Sequence, residues 1–384
     1  MTKKSRWSRA LLLCTVLMVV LATEPASTHL RAASLLIRFA TPDSPTFVAR
    51  IGVHEVDESP LVLDAPTGPT RARLYVPRNC PDAPGVVVVH GVHRLGVDEP
   101  RLGRFARAIA SSGVVVLTPE VKELTEYRID AASIGTIGAA AQHLATRLDR
   151  RSVGVLGMSF AGGLALLAAA NPRWESAIAF VVAVGAHDDL SRVLRFFAED
   201  RISDPTGAML EMKAHDYGML VLVHSYVADF FAPEDVEIAT DAIRLWLWEK
   251  KDEARTRGEA MTPAGKEKLA RLFAKGPAIA SELLAVIAKH EGSMGDVSPH
   301  GHLASIHVPV YLLHGAGDSV IPPTETLWLA HDVPSRWVRA ALVSEAIQHV
   351  EIQGEPTVNQ RWQLVDFMSR VLDEAEAEAR GPTR

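Results

Sequence analysis

Residues 153–167, VGVLGMSFAGGLALL, predict a buried strand, a sharp turn and a helix in immediate succession. Gly157 and Ala161 flank Ser159 with small side chains, as a turn requires when the strand and helix backbones nearly touch. Ser159 would then stand at a helix N-terminus, where free N–H groups favour an oxyanion. A serine in this position is a candidate nucleophile. Residues 157–161, GMSFA, taken alone fit equally well a glycine-rich turn in another α/β protein.

Strand and helix patterns alternate on both sides of this stretch. Continuous apolar runs at residues 86–89, 114–117 and 177–184 are typical of strands buried on both faces of a parallel sheet. Amphipathic helix patterns lie between these runs. The βαβ order predicts a parallel sheet covered by helices on both sides. In such sheets, ligands bind beyond the carboxyl ends of the strands.

The strand patterns disappear between residues 190 and 304. Several amphipathic helix patterns replace them, with charged residues such as Lys250 and Glu253 on an expected outer face. Buried strand patterns return at residues 308–314 and 338–343, and a helix pattern closes the fold at 362–372. We therefore expect an all-helical insertion in the sheet. The acidic, alanine-rich residues 373–384 predict a flexible tail.

Length and composition are those of an ordinary globular protein. The chain has 384 residues, of which 48% are hydrophobic and 22% charged. This length suits one large α/β domain with an insertion, or two smaller domains. The net charge of -6 gives no reason to expect nucleic acid as a partner. Of the two cysteines, only Cys80 lies outside the N-terminal apolar segment, so a processed chain could form no internal disulfide.

The N-terminus has the pattern of an export signal. Four basic residues precede an apolar-to-small run at residues 10–22; they are Lys3, Lys4, Arg6 and Arg9. This run is shorter than the roughly 20 residues that usually span a bilayer. Residues 1–22 therefore predict a cleaved signal peptide or, as the alternative, an uncleaved membrane anchor. The expected location is secreted, periplasmic or tethered to a membrane.

Four motifs resemble those of the α/β-hydrolase family. Residues 157–161, GMSFA, resemble its nucleophile elbow, although the family usually has glycine where this chain has Ala161. His90-Gly91 resembles its oxyanion loop, residues 314–318, HGAGD, its acid turn, and Gln348-His349 its base loop. The resemblance implies an α/β fold with a mostly parallel central sheet flanked by helices. Core parts are expected at residues 23–189 and 305–372, and a cap at residues 190–304.

The same resemblance implies a role for individual residues. Ser159 would be the nucleophile, His349 the base that takes its proton, and Asp318 the acid that orients the imidazole. The backbone N–H groups of Val92 and Phe160 would stabilise the oxyanion. The resemblance calls for no cofactor and no metal.

Each of these assignments has an alternative. Asp318 could simply cap its turn, and His349 could be a surface histidine. Residues 187–189, HDD, follow the preceding strand and could supply a different acid. The histidine pairs 90/93 and 300/302 have spacings that a metal could use, but the sequence offers no cysteine or carboxylate cluster beside them.

The sequence thus favours an exported serine hydrolase that cleaves small-molecule carboxylic esters. The apolar, aromatic-rich insertion suggests an apolar acyl or alcohol group. Because a base must be neutral, activity should fall below about pH 6–7. The same fold also hydrolyses amides, peptides, lactones and carbon–carbon bonds, whereas a haloalkane dehalogenase would need a carboxylate at the elbow. A non-catalytic, membrane-tethered binding protein is the alternative from another class.

Overall fold

The computed structural model describes residues 24–274, 279–348, 351–352 and 356–381. The predicted signal or anchor at residues 1–22 lies outside the described residues, and so does His349. No helix within the described ranges combines the length and the hydropathy that a membrane crossing requires.

The described residues form the following strands and α-helices, which alternate through the first half of the chain. The strands are β1 (Val56–Ala65), β2 (Gly68–Pro77), β3 (Gly85–Val89), β4 (Val115–Pro119), β5 (Val153–Met158), β6 (Ile178–Val184), β7 (Arg201–Ser203), β8 (Met209–Glu211), β9 (Val310–Gly315), β10 (Val338–Ser344), β11 (Ile347–Gln348) and β12 (Glu351–Ile352). The α-helices are α1 (Glu24–Ala40), α2 (Pro100–Ala110), α3 (Lys122–Thr125), α4 (Ala132–Arg147), α5 (Phe160–Ala170), α6 (Leu190–Glu199), α7 (Asp216–Ser225), α8 (Val227–Phe230), α9 (Val236–Leu247), α10 (Lys251–Gly258), α11 (Pro263–Phe273), α12 (Ala280–Gly295), α13 (Thr324–Asp332) and α14 (Val358–Ala379).

Among the described residues, eight strands form one sheet in the order β1-β2-β4-β3-β5-β6-β9-β10. The six strands from β4 to β10 in this order are parallel, and β1 and β2 add an antiparallel hairpin at one edge. Every residue of β3, β4 and β9 is buried, as their continuous apolar sequences predict. The predicted fold class, a mostly parallel sheet flanked by helices, is confirmed.

The two faces of the sheet carry separate apolar layers. On β5, Val155 packs with α4 and α5 on one face, whereas Leu156 packs with α1, α2 and α14 on the other. Successive strand residues point to opposite faces, so this alternation follows from the geometry of an extended chain. The sheet is therefore covered on both sides, and its carboxyl edge is left for the site.

The insertion between β6 and β9 is mostly helical, but the prediction that it is all helical is wrong. Strands β7 and β8 pair as an antiparallel hairpin inside it. Asp204 closes the connecting turn, because its Oδ1 accepts the N–H groups of Thr206 and Ala208 at 2.8 and 3.0 Å. Gly207 has a φ of +87°, which favours glycine at this position.

The tail predicted as flexible from residue 373 is helical as far as Ala379. Its acidic side chains have partners on the core, since Glu374 accepts a hydrogen bond of 2.7 Å from the Tyr311 hydroxyl. Glu378 accepts another from Ser152, and Ala375 is buried. A cluster of acidic residues thus anchors the end of α14 instead of releasing it into solvent.

Candidate active site

Ser159 occupies the turn between β5 and α5, in a backbone conformation with φ +57° and ψ -136°. Residues with a side chain rarely adopt this conformation, which costs about 1–3 kcal/mol. The Ser159 N–H donates to the Val184 carbonyl on β6 at 2.7 Å, and the Ser159 carbonyl accepts from Gly162 at 2.9 Å. The Ser159 hydroxyl makes no capping hydrogen bond to α5. Neighbouring backbone therefore holds the strained turn.

Glycines allow three backbone segments to meet at this turn. A Cβ atom on Gly157 would collide with the carbonyl oxygen of Ala161 on α5. A Cβ atom on Gly91 would lie 3.2 Å from the Cβ of Ser159 and 3.9 Å from its Oγ. Ala161 itself is fully buried, so its methyl group is accommodated where the family usually has glycine. The loop after β3 thus passes directly beside the candidate nucleophile.

His90 holds this loop from the inside. Its Nε2 lies 3.0 Å from the Val121 N–H and its Nδ1 lies 2.7 Å from the Gly91 carbonyl oxygen. Because the N–H can only donate, Nε2 accepts and Nδ1 carries the proton. Burial lowers the pKa of His90 to about 4, which keeps the imidazole neutral. The Gly91 carbonyl shares one peptide plane with the Val92 N–H, so His90 fixes the direction of that N–H.

The two predicted oxyanion donors lie on segments that border Ser159. Val92 directly follows Gly91, whose backbone faces the Ser159 side chain. Phe160 is the first residue of α5, where N–H groups have no partner within the helix. The Phe160 ring is buried against His187, with ring centroids 5.2 Å apart. Both donors are backbone groups on tightly packed segments.

Asp318 is fully buried in the turn that follows β9. Its Oδ1 accepts the N–H groups of Val320 and Ile321 at 2.9 and 3.0 Å, so it does cap the turn. Its Oδ2 lies 3.4 Å from Nε2 of His314, a buried histidine whose Nδ1 lies 2.7 Å from the Thr326 hydroxyl. A carboxylate has two oxygens, so capping the turn is compatible with orienting a base.

The predicted base, His349, lies outside the described residues. The chain reaches it from β10, which ends at Ser344 beside the end of β9, and then from β11. Ser159 and Asp318 follow β5 and β9, and both lie at the carboxyl edge of the sheet. The assignment of His349 remains a prediction.

A buried ion network, which we define as Asp188, Arg192 and Glu325, lies at the same edge and was not predicted from the sequence. Glu325 accepts the N–H groups of Asp188 and Asp189 at 2.7 and 2.9 Å. Arg192 donates to Glu325 at 2.6 Å and to Asp188 at 2.9 Å, with its guanidinium 4.4 Å from the centre of the Trp328 ring. The spacing of four residues between Asp188, which precedes α6, and Arg192 on α6 was a signal for this pair.

The network gives structural roles to Asp188 and Asp189, the alternative candidates for the catalytic acid. Asp188 pairs with Arg192, and Asp189 caps α6 by accepting the Arg192 N–H at 3.0 Å. Burial and the neighbouring Glu325 raise the pKa of Asp188 to about 7. These contacts stabilise the junction between the core and the insertion, and they leave Asp318 as the better candidate for a catalytic acid.

Carboxylates do lie beside His300, contrary to the interpretation from the sequence. Asp188, His300 and Asp332 each bring one possible metal-ligand atom within 4.8 Å of the others. His300 Nδ1 lies 2.6 Å from Asp332, and although burial lowers its pKa, the carboxylates of Asp332 and Asp188 raise it overall. The Arg192 guanidinium already supplies a positive charge to the same Asp188 oxygen. We therefore interpret the cluster as an extension of the ion network.

Comparisons with known proteins show the fold. Neither a protein-family model nor a curated protein matches the chain. A candidate hydrolase from Legionella pneumophila superposes with a TM-score of 0.51 at 13% identity, over 92% of this chain and 95% of that chain. An esterase from Pyrobaculum calidifontis has a TM-score of 0.46 at 18% identity, over 92% of both chains. A 2,6-dihydroxy-pseudo-oxynicotine hydrolase has a TM-score of 0.45 at 17% identity, over 83% of this chain and 68% of that chain. The strand order and the likeness to the Legionella protein identify this chain as having the α/β-hydrolase fold.

Proposed function

We propose that the protein is a serine hydrolase that cleaves carboxylic esters through an acyl-enzyme intermediate. The observation that carries this proposal is the strained Ser159 turn, with the backbone of Gly91 packed against the serine side chain. A hydroxyl at a helix N-terminus, beside a second loop of backbone N–H groups, suits acyl transfer. The Ser159 conformation is costly, and the surrounding glycines and hydrogen bonds maintain it.

In this mechanism Ser159 Oγ attacks the acyl carbon while His349 removes the serine proton. Asp318 holds the imidazole in the orientation that this transfer requires. The N–H groups of Val92 and Phe160 stabilise the oxyanion of the tetrahedral intermediate. His349 then gives the proton to the departing alcohol, and a water molecule activated by the same histidine releases the acid.

The insertion forms the second half of the proposed site. Its helix α7 contains an unbroken run of buried apolar residues, 218–223. The helix begins beside the loop that carries Val92. An apolar insertion beside the oxyanion loop favours an ester with an apolar acyl or alcohol group. We also propose that residues 1–22 export the protein or tether it to a membrane; the mass of the N-terminus after expression in the native host tests whether they are removed.

Hydrolysis of p-nitrophenyl esters of increasing acyl length tests the proposal. Ser159→Ala should lower kcat by about 10⁴-fold or more and abolish labelling by a fluorophosphonate. Ser293→Ala provides the matched control, since this exposed serine on α12 donates to the His290 carbonyl and has its other side-chain contact with Tyr226 in the insertion. It should keep wild-type turnover and labelling. Turnover by a folded Ser159→Ala variant would refute the serine mechanism.

Two further measurements refine the assignment. Anilides with the same acyl groups distinguish ester from amide hydrolysis, because the leaving group is then an amine. A profile of kcat/KM against pH reports the ionisation of the base in the free enzyme. It should fall below about pH 6–7, where a histidine with an ordinary pKa becomes protonated. A flat profile down to pH 4 would argue against a histidine base.

A further inference from the structure

The insertion is hydrogen-bonded to both parts of the proposed catalytic edge where α7 begins. The Tyr217 hydroxyl donates to the Val92 carbonyl oxygen at 2.6 Å, across 125 residues of sequence. Two residues earlier, the His215 N–H donates to the Ser319 carbonyl at 2.8 Å, in the turn that holds Asp318. The start of α7 therefore bridges the oxyanion loop and the acid turn.

The contact with Val92 complements the contact that His90 makes inside the loop. His90 fixes the peptide plane that contains the Gly91 carbonyl and the Val92 N–H. Tyr217 fixes the next plane, which contains the Val92 carbonyl. With both planes held, the backbone of Val92 has little freedom to rotate. A tilt of this loop would change the packing around the Ser159 side chain, because Gly91 lies against that side chain.

The Tyr217 hydroxyl is well suited to hold the loop. Burial raises its pKa well above the ordinary tyrosine value, so the hydroxyl stays protonated and able to donate over the working pH range. The Tyr217 N–H donates to the His215 side chain at 3.2 Å, which caps α7. The Tyr127 ring meets the Tyr217 ring edge-on, with centroids 6.3 Å apart. Contacts therefore hold both the backbone and the ring of Tyr217.

We infer that Tyr217 is a positioning residue, through which the insertion holds the oxyanion loop in its active geometry. The inference rests on the proposed function, since it assigns the Val92 N–H to the oxyanion. Removing the hydroxyl leaves the Val92 N–H in place but frees the loop to tilt. Losing a whole oxyanion donor costs about 10²–10³-fold in kcat, so a loosened donor should cost about tenfold.

The test compares Tyr217→Phe with Tyr226→Phe. Tyr226 directly follows α7, at the opposite end of that helix from Tyr217, and its ring packs against His290. Tyr217→Phe should lower kcat about tenfold with little change in KM, and should weaken inhibition by a boronic acid transition-state analogue by the same factor. Tyr226→Phe should leave both unchanged. A Tyr217→Phe variant with wild-type kcat, or with a changed KM alone, would overturn the inference.

Hydrogen exchange separates this inference from the proposed function. The amides of residues 91–95 should exchange faster in Tyr217→Phe than in the wild type, and those of β5 should not change. Unchanged exchange in the loop would overturn the role of Tyr217 even if the enzyme is active. A wild-type chain that neither turns over esters nor labels would instead refute the proposed function, whereas faster exchange in the variant would still support Tyr217 as the residue that holds the loop.

Discussion

The Ser159 elbow and the buried ion network lie at the same edge of the sheet but are held in different ways. The elbow has no charged side chain, and its shape follows from the absence of side chains at Gly157 and Gly91. The network is built on the ion pair between Arg192 and Glu325, whose hydrogen bond spans 133 residues. The small residue that the turn requires at Gly157 can be read from consecutive residues, whereas the long-range ion pair depends on the completed fold.

Gly157→Ala should break the elbow and give the largest effect. The new methyl group would meet the backbone of α5 at Ala161, which cannot rotate away as a flexible side chain can. We expect a loss of about 4 kcal/mol or more in the free energy of unfolding. Denaturant unfolding measures the loss, and fluorophosphonate labelling of any folded fraction reports the position of Ser159. Wild-type stability would show that α5 can move away at no cost.

Glu325→Gln should break the ion network with a somewhat smaller effect. The substitution keeps the size of the side chain but removes the charge that Arg192 and two backbone N–H groups share. Arg192 keeps Asp188 as a partner but loses its charged hydrogen bond to Glu325, so the expected cost is about 1.5–3 kcal/mol. Denaturant unfolding at one pH measures this cost.

The control is an ion pair of the same kind at the surface. Asp252 accepts from Arg255 at 2.9 Å, but its side chain is fully exposed and that of Arg255 is 60% exposed. Asp252→Asn should change the free energy of unfolding by no more than about 0.5 kcal/mol. Equal effects of the two substitutions would mean that burial does not set the strength of the network.

The pH dependence of stability should have opposite signs in the two regions. His90 has a pKa of about 4 when folded and 6.5 when unfolded, so the unfolded chain takes up a proton first and stability falls as the pH drops from 6.5 to 4. Asp188 has a pKa of about 7 when folded and 3.8 when unfolded, so Asp188 stays protonated to a higher pH in the folded chain than in the unfolded chain. Its contribution therefore falls as the pH rises from about 4 to 7.

Thermal unfolding between pH 4 and pH 8 separates the two contributions. Asp188→Asn should remove the loss of Tm at rising pH, and His90→Gln should remove part of the loss at falling pH. The Tm of a 150–250-residue chain shifts by about 2–4 °C for each kcal/mol, and a chain of 384 residues should shift by somewhat less for each kcal/mol. If either variant keeps the wild-type slope, the corresponding group does not change its protonation as assigned.

The sequence predicted the parts of the structure that depend on neighbouring residues. The β5 strand, the Ser159 turn and the glycine beside it follow from local patterns and from the space that a side chain needs. The β7–β8 hairpin was missed because each strand has only three residues in a stretch dominated by helix patterns. The end of α14 was missed because an acidic, alanine-rich stretch indicated a flexible tail, whereas Glu374 accepts a hydrogen bond from Tyr311 on β9.

Residues that act through a distant partner were the least predictable. Tyr217 lies in an apolar helix pattern, where an aromatic residue indicates packing, and nothing near it in sequence points to Val92. Glu325 likewise follows a proline turn and pairs with a helix more than a hundred residues earlier. The chain as a sequence indicates which residues could carry the chemistry, and the fold decides which residues hold them in place.

Gly292→Ala should give the smallest effect and the opposite sign to Gly157→Ala. Gly292 is exposed in α12, and a Cβ atom there would meet nothing within 4 Å apart from the adjacent backbone of its own helix. Alanine restricts the unfolded chain and favours a helix, so the free energy of unfolding should rise by about 0.5–1 kcal/mol. Because the substitution is identical at the two positions, the difference in sign would come from the backbone that surrounds Gly157. A destabilised Gly292→Ala variant would instead show that the last turn of α12 is not helical in solution. Gly292→Ala could then no longer serve as the control for Gly157→Ala.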